Sequence, residues 1–249
     1  IYIIIKSERI SNMPKYKEIS DEIKLRIENG VYSDKNNQIP DEISLCNEFN
    51  CSRMTMKKAL DLLVLDGIIY RKRGHGTFIM DKLPDNSKIN IFDRDLNGLT
   101  RLSHGNVKTK VLDFKLIFAD TNLSNKLNID ENSPVYEILR VRYINNEPVV
   151  LEKTFMDATL ITGINHSILE HSIYDYIEST LKLKISSANK IIRSDKSNKE
   201  DIKYLNLGDH DPVLEVEQIA YINNGKAFEY SIARHRYDKF QFTSFSVRV

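Results

Sequence analysis

The sequence offers little from which to build a secreted, membrane-embedded or enzymatic protein. Only two cysteines, Cys46 and Cys51, occur in 249 residues. That is too few for a disulfide framework, and both are expected to be free thiols in a reducing compartment, the cytoplasm. Neither has the further cysteine or nearby histidine that a zinc site needs, so no metal is expected. The apolar opening IYIIIKSERI runs for five residues before Lys6, too short for a membrane span or a signal core. Residues 1–12 read as an N-terminal extension, with Met13 as an alternative start. A dominant charge sign is missing too, since 36 Lys and Arg meet 35 Asp and Glu. Phosphate-loop, G-x-S-x-G, H-E-x-x-H and glycine-rich dinucleotide patterns are absent, so neither catalytic residues nor a cofactor are expected.

What remains is ordinary for a globular chain with room for two domains, at 41% hydrophobic and 29% charged residues. The informative stretch is 39–80, IPDEISLCNEFNCSRMTMKKALDLLVLDGIIYRKRGHGTFIM. Residues 41–49 read as a short helix behind Pro40, with an apolar stripe of Ile43, Leu45, Cys46 and Phe49. After a turn at Asn50 and Cys51, Ser52 is placed to N-cap a second helix reaching about residue 66. Met56, Ala59, Leu60, Leu63 and Val64 share its apolar face, and Met54 is assigned to the core with Met56. Arg53 and Lys57 share another face, with Thr55 and Lys58 beside it. A buried back and a basic, hydroxyl-bearing front suit a helix that enters the DNA major groove. A single basic pair on a helix is as often merely solvated.

The following residues sharpen the choice. Gly67 is suited to end the helix left-handed. Residues 68–71 and 77–80 then read as two strands around 72–76. Arg71, Lys72 and Arg73 precede Gly74 and Gly76, which permit close approach to a phosphate backbone. The pattern is a winged helix-turn-helix, spanning 13–81 and backed by an amphipathic helix at 16–28 with apolar Tyr16, Ile19, Ile23 and Ile27. Residues 82–97, which carry Pro84 and no helical period, read as a linker.

Residues 98–249 form the second domain, which repeats itself. The segment 127–135, LNIDENSPV, aligns without gaps on 205–213, LNLGDHDPV, and the register continues through YINN at 143–146 and 221–224. Each unit reads strand, helix, strand, Asn-Asn turn, strand, which implies a pseudo-twofold antiparallel sheet with helices on it, an α+β domain. Alternation puts Arg140 and Arg142 on one strand face, where they need an anion or a carboxylate between them. Glu152 and Glu229, on the partner strands of the two hairpins, are candidates to supply it. A helix over 172–181, starting at Ser172, would add N–H groups and a positive dipole end. Two readings stay open at this level, an anion-binding cleft or a structural Arg–Glu network.

The succession IPDE, SRMT, KKAL and LDGIIYRKRGHGTFI resembles the GntR family of bacterial transcription regulators. The whole chain resembles its HutC branch, in which a winged helix precedes a UTRA effector-binding domain of chorismate-lyase-like fold. The resemblance implies operator contacts from Ser52, Arg53, Thr55 and Lys57, and from His75, Gly76 and Thr77 in the wing. Lys57 stands where the family usually has arginine, and lysine contacts DNA as a point charge rather than a rigid fork. In the second domain the likeness covers about residues 107–247. LRVRY carries over Arg140 and Arg142, and PVVLE carries over Glu152. HSIYDYI gives Ser172 and Tyr174, and AFEYSIARHRYDKF gives Glu229 and His235. Residues 97–106 are shorter than the family's effector-contacting segment.

These matches imply a cytoplasmic homodimeric repressor with three partners: double-stranded operator DNA, a small anionic effector such as a sugar phosphate, and a second copy of itself. No membrane partner is expected. Two alternatives are an enzyme of chorismate-lyase type and a DNA-binding protein indifferent to effectors.

Overall fold

The computed structural model describes residues 14–32, 37–81, 88–90, 99, 107–244 and 246. They fall into two compact units, the residues up to 81 grouped with 244 and 246, and residues 88–243. The extension 1–12 lies outside the described residues.

The first unit contains α1 (Lys15–Glu28), α2 (Glu42–Glu48), α3 (Arg53–Leu65) and a hairpin of β1 (Ile69–Lys72) with β2 (Gly76–Ile79). Local chemistry sets each boundary. The Asp41 carboxylate accepts from the Ile43 and Ser44 amides at 2.9 and 3.0 Å, capping α2. Ser52 Oγ accepts from the Thr55 amide at 3.2 Å and caps α3. Gly67, at φ +68°, carries the chain out of α3 in the left-handed region that favours glycine. Ile19, Ile23 and Ile27 of α1 pack with Leu45, Met56, Leu60 and Leu63 in one core, which β1 joins through Ile69. The wing gains a third edge that periodicity did not indicate. The Ile39 amide donates to Thr77 O at 3.0 Å and the Ile79 amide to Asn37 O at 2.7 Å.

Two side chains depart from expectation for geometric reasons. Ile43 is 57% exposed, because it lies roughly 115° around α2 from the stripe of Leu45, Cys46 and Phe49. Met54 is 66% exposed whereas Met56 is fully buried; two residues apart on a helix, they face opposite sides. Both cysteines are free, and burial raises the Cys46 thiol pKa.

The second unit is built on a six-stranded antiparallel sheet of order β4-β5-β6-β9-β8-β7. Its first half is β4 (Val107–Phe118), α4 (Thr121–Leu127), β5 (Pro134–Ile144) and β6 (Glu147–Asp157). Next come α5 (His166–Leu169) and α6 (Ile173–Ser179), the latter shorter than the expected 172–181. The second half is β7 (Ile185–Lys196), α7 (Lys199–Leu205), β8 (Pro212–Ile222) and β9 (Ala227–Arg236). The repeat is thus realised as a pseudo-twofold sheet whose axis passes between β6 and β9 at the pair Lys153 and Ile232. Asn128 and Asn206 end α4 and α7 at φ +52° and +55°.

The hairpins differ. Asn145 and Asn146 both take positive φ in the first, as expected, but in the second Gly225 does so at φ +82° and adds a residue. Helices α4 and α7 cover one sheet face, and α5 and α6 cover part of the other. Of the expected linker, residues 89–90 form β3 (Ile89–Asn90), which pairs in parallel with β10 (Phe240–Gln241) of this unit.

Candidate functional site

In the first unit, α3 exposes Arg53, Lys57 and Lys58. Lys57 and Lys58 face away from its buried stripe, whereas Arg53 lies nearer the edge of that stripe. Ser52 and Thr55 are engaged with each other, their hydroxyl oxygens 2.9 Å apart, so they fix the helix start. Arg71 departs from the free wing cation that the sequence suggested. Its guanidinium pairs with Asp61 of α3 at 2.5 Å and with Glu42 of α2 at 3.6 Å. Alternation explains this, since residues 71 and 72 point to opposite faces of the hairpin. Lys72, Arg73 and His75 are exposed at the wing tip. Gly76, at φ +115°, is held where a Cβ would collide with the Gln38 side-chain amide, which donates to His75 O at 3.1 Å. Thr77 is half-buried, and its carbonyl takes the Ile39 amide.

In the second unit, a cavity of about 170 Å³ opens on the sheet face that α6, β3 and β10 border. It brings together all seven residues singled out there: Arg140, Arg142, Glu152, Ser172, Tyr174, Glu229 and His235. Arg140 and Arg142 are only 6% and 5% exposed. Both donate to a single oxygen, Glu152 Oε2, at 2.8 and 3.5 Å. Arg140 also donates to Leu169 O at 3.2 Å, while its buried Nε has no hydrogen-bond partner among the described residues. Burial lowers the Arg140 pKa despite Glu152 beside it. Burial alone would raise the Glu152 carboxyl, but the two guanidinium groups outweigh it and hold the pKa below its ordinary value. Two buried cations therefore share one carboxylate oxygen.

Glu229 does not supply the second carboxylate. Its Oε1 accepts from Tyr174 OH at 3.2 Å, Gln218 Nε2 at 3.0 Å and Ser231 Oγ at 2.9 Å. Register is the reason. The β-bulges put Glu229 opposite Ala220, the pseudo-symmetric counterpart of Val150 opposite Arg142, whereas Ser231 is the counterpart of Glu152. Burial raises the Glu229 pKa, and burial also raises that of Tyr174 well above its ordinary value. Ser172 N-caps α6, its hydroxyl accepting from the Asp175 amide at 3.2 Å. Gln218 and Ser231 carry no motif of their own in the sequence, although the repeat pairs them as it pairs Arg140 with Glu152.

His235 Nδ1 lies 3.2 Å from Leu214 O, and its ring packs edge-on against Phe240 at 4.5 Å. Burial lowers its pKa to about 4 from 6.5. The folded chain thus resists a proton that the unfolded chain accepts, so this group's stabilisation is full above pH 6.5 and lost as pH falls toward 4. His235→Gln should flatten that loss. Urea midpoints at pH 7.5 and 5.0 should diverge less in the variant than in wild type; equal divergence would place the titration elsewhere.

Comparison with known proteins agrees with this architecture. Residues 15–79 match the model of the bacterial regulatory proteins of the gntR family, and residues 103–241 match the UTRA domain. The chain is 44% identical over 237 residues to the transcriptional regulator GmuR of Bacillus subtilis, covering 95% of this chain and 100% of that protein. It is 30% identical over 241 residues to the mannosyl-D-glycerate transport/metabolism system repressor MngR of Escherichia coli, covering 96% and 98%. The crystal structure of the possible regulator YydK from B. subtilis superposes with a TM-score of 0.77 at 30% identity, covering 94% of this chain and 100% of that one. These relatives are regulators, and the enzyme alternative falls away. The chain belongs to the gntR family of bacterial regulatory proteins, in its HutC-type form with a UTRA domain, and is a ligand-responsive DNA-binding transcription regulator.

Proposed function

We propose that the chain is a homodimeric repressor that leaves its operator when a small anionic effector of the phosphorylated-sugar class enters the cavity. One observation carries the effector class. Arg140 and Arg142, both buried, share a single carboxylate oxygen, so an entering anion would meet two guanidinium groups on one wall of the cavity. Around it, Tyr174, Gln218, Glu229 and Ser231 offer hydroxyl, amide and carboxyl groups suited to a polyol. MngR is named for a mannosyl-glycerate system, which favours a sugar-linked effector.

On the DNA side, α3 would enter the major groove with Arg53 and Lys57 toward the bases, Ser52 and Thr55 shaping its start. Lys72, Arg73, His75 and Gly76 would meet the adjacent backbone. A twofold dimer presents two such heads to two half-sites of a pseudo-palindrome. Among the described residues no helix is long and apolar enough to cross a membrane, which fits a protein acting on DNA in the cytoplasm. Release follows if the ligand binds the DNA-free arrangement more tightly than the DNA-bound one.

The effector is found by thermal scanning against hexose phosphates, because a ligand that binds the folded chain raises its melting temperature. Arg140→Ala should then bind operator as wild type does yet need at least about tenfold more ligand for release, the scale of a missing buried charge partner. Fluorescence anisotropy with and without ligand decides it. Release at the wild-type concentration would make the arginine pair purely structural, and multiple turnovers of the ligand would revive the enzyme reading.

The wing has its own test. Replacing Lys72 and Arg73 by alanine should make the slope of log affinity against log salt shallower by roughly 0.9 for each phosphate left without its cation. Arg71→Ala, which breaks an internal ion pair, should leave the slope nearly unchanged. The reverse ranking would reassign the wing's phosphate-binding role.

A further inference from the structure

Met54 stands out among the side chains of the first unit. It is 66% exposed, yet it follows Arg53 in the first turn of α3. Successive helix residues turn by about 100°, which places the buried stripe of Met56, Ala59, Leu60 and Leu63 within an arc of roughly 100°. Met54 lies about 170° from the centre of that arc, and Lys57 and Lys58 flank it within about 60°. It belongs neither to the head's core cluster nor to the half-buried side chains packed on it. A helix seated in the major groove by its exposed face therefore points Met54 at the base edges more directly than it points Arg53. Ser52 and Thr55, hydrogen-bonded to each other, are already committed to the cap.

We infer that Met54 is a specificity-determining residue that reads the 5-methyl group of a thymine. The inference rests on α3 being the groove-entering helix. A thioether chain carries no strong donor or acceptor, so it gains nothing from the polar pattern of the groove. The thymine methyl is the one hydrocarbon feature the four bases present there. Packing the flexible methionine against it removes apolar surface of both from water. Apolar matching of this kind selects thymine over cytosine, while contacts to the phosphates supply affinity that is indifferent to sequence.

The test uses the full-length chain and a duplex selected by it from a random library, with thymines replaced one at a time by uracil, which removes only the methyl. A replacement at that position in a single half-site should weaken wild-type binding about fourfold, the scale of one buried methyl. Met54→Leu should keep that sensitivity, whereas Met54→Ala should bind more weakly and no longer distinguish thymine from uracil at that position. Arg53→Ala separates this from the assignment of α3 itself. If Arg53→Ala loses affinity while Met54→Ala keeps the full uracil effect, the methionine assignment alone is overturned. A wild-type chain indifferent to uracil at every position overturns it equally.

Discussion

The second unit depends on one buried electrostatic arrangement, two arginines held by a single carboxylate oxygen at the floor of a cavity. Removing two guanidinium groups from water costs several kcal/mol each, and the Glu152 carboxylate offsets part of that. The sheet tolerates the cluster because Arg140 also reaches the Leu169 carbonyl, so the helical layer of α5 and α6 helps to hold the charge. An anion that completes the charge balance would stabilise the arrangement that surrounds it, and it acts as a switch if that arrangement differs between the DNA-free and DNA-bound states.

Pseudo-symmetry is what makes such a site possible in a duplicated sheet. The two halves supply the same strand geometry, but different side chains occupy the equivalent positions: Arg140 and Glu152 in one half, Gln218 and Ser231 in the other. One side of the cavity is therefore cationic, and the other is a network of donors and acceptors gathered on Glu229, whose pKa burial raises. In the head a comparable tie is made by Arg71, which holds the wing to α2 and α3 through Glu42 and Asp61.

Much of this was legible in the sequence because it depends on local periodicity and on turn chemistry. The cap at Ser52, the left-handed Gly67 and the first Asn-Asn hairpin follow from residues within a few positions of one another. So does the pairing of Arg140 and Arg142 on one face. What escaped depends on register and angle. Glu229 shares its chemistry and an equivalent strand of the duplicated unit with Glu152, but the pairing register puts it at the counterpart of Val150, two positions along the strand from that of Glu152. Ile43 and Met54 have the composition of core residues, and only their angular position around short helices exposes them. Arg71 looked like its two cationic neighbours because its carboxylate partners are distant in sequence. The third wing edge at 37–39 and the short β3 were invisible because two or three residues carry no period. The shortened segment 97–106 lies, except for Leu99, outside the described residues.

The central claim is that the cavity selects its occupant by negative charge. Isothermal titration of the full-length chain with a hexose 6-phosphate identified by thermal scanning, and with the same hexose lacking the phosphate, tests it most directly. The account predicts saturable binding of the phosphorylated sugar that weakens at least about tenfold without the phosphate, consistent with the loss of a buried charge partner. Equal affinity for the two sugars would contradict it and reduce the arginine pair to scaffolding.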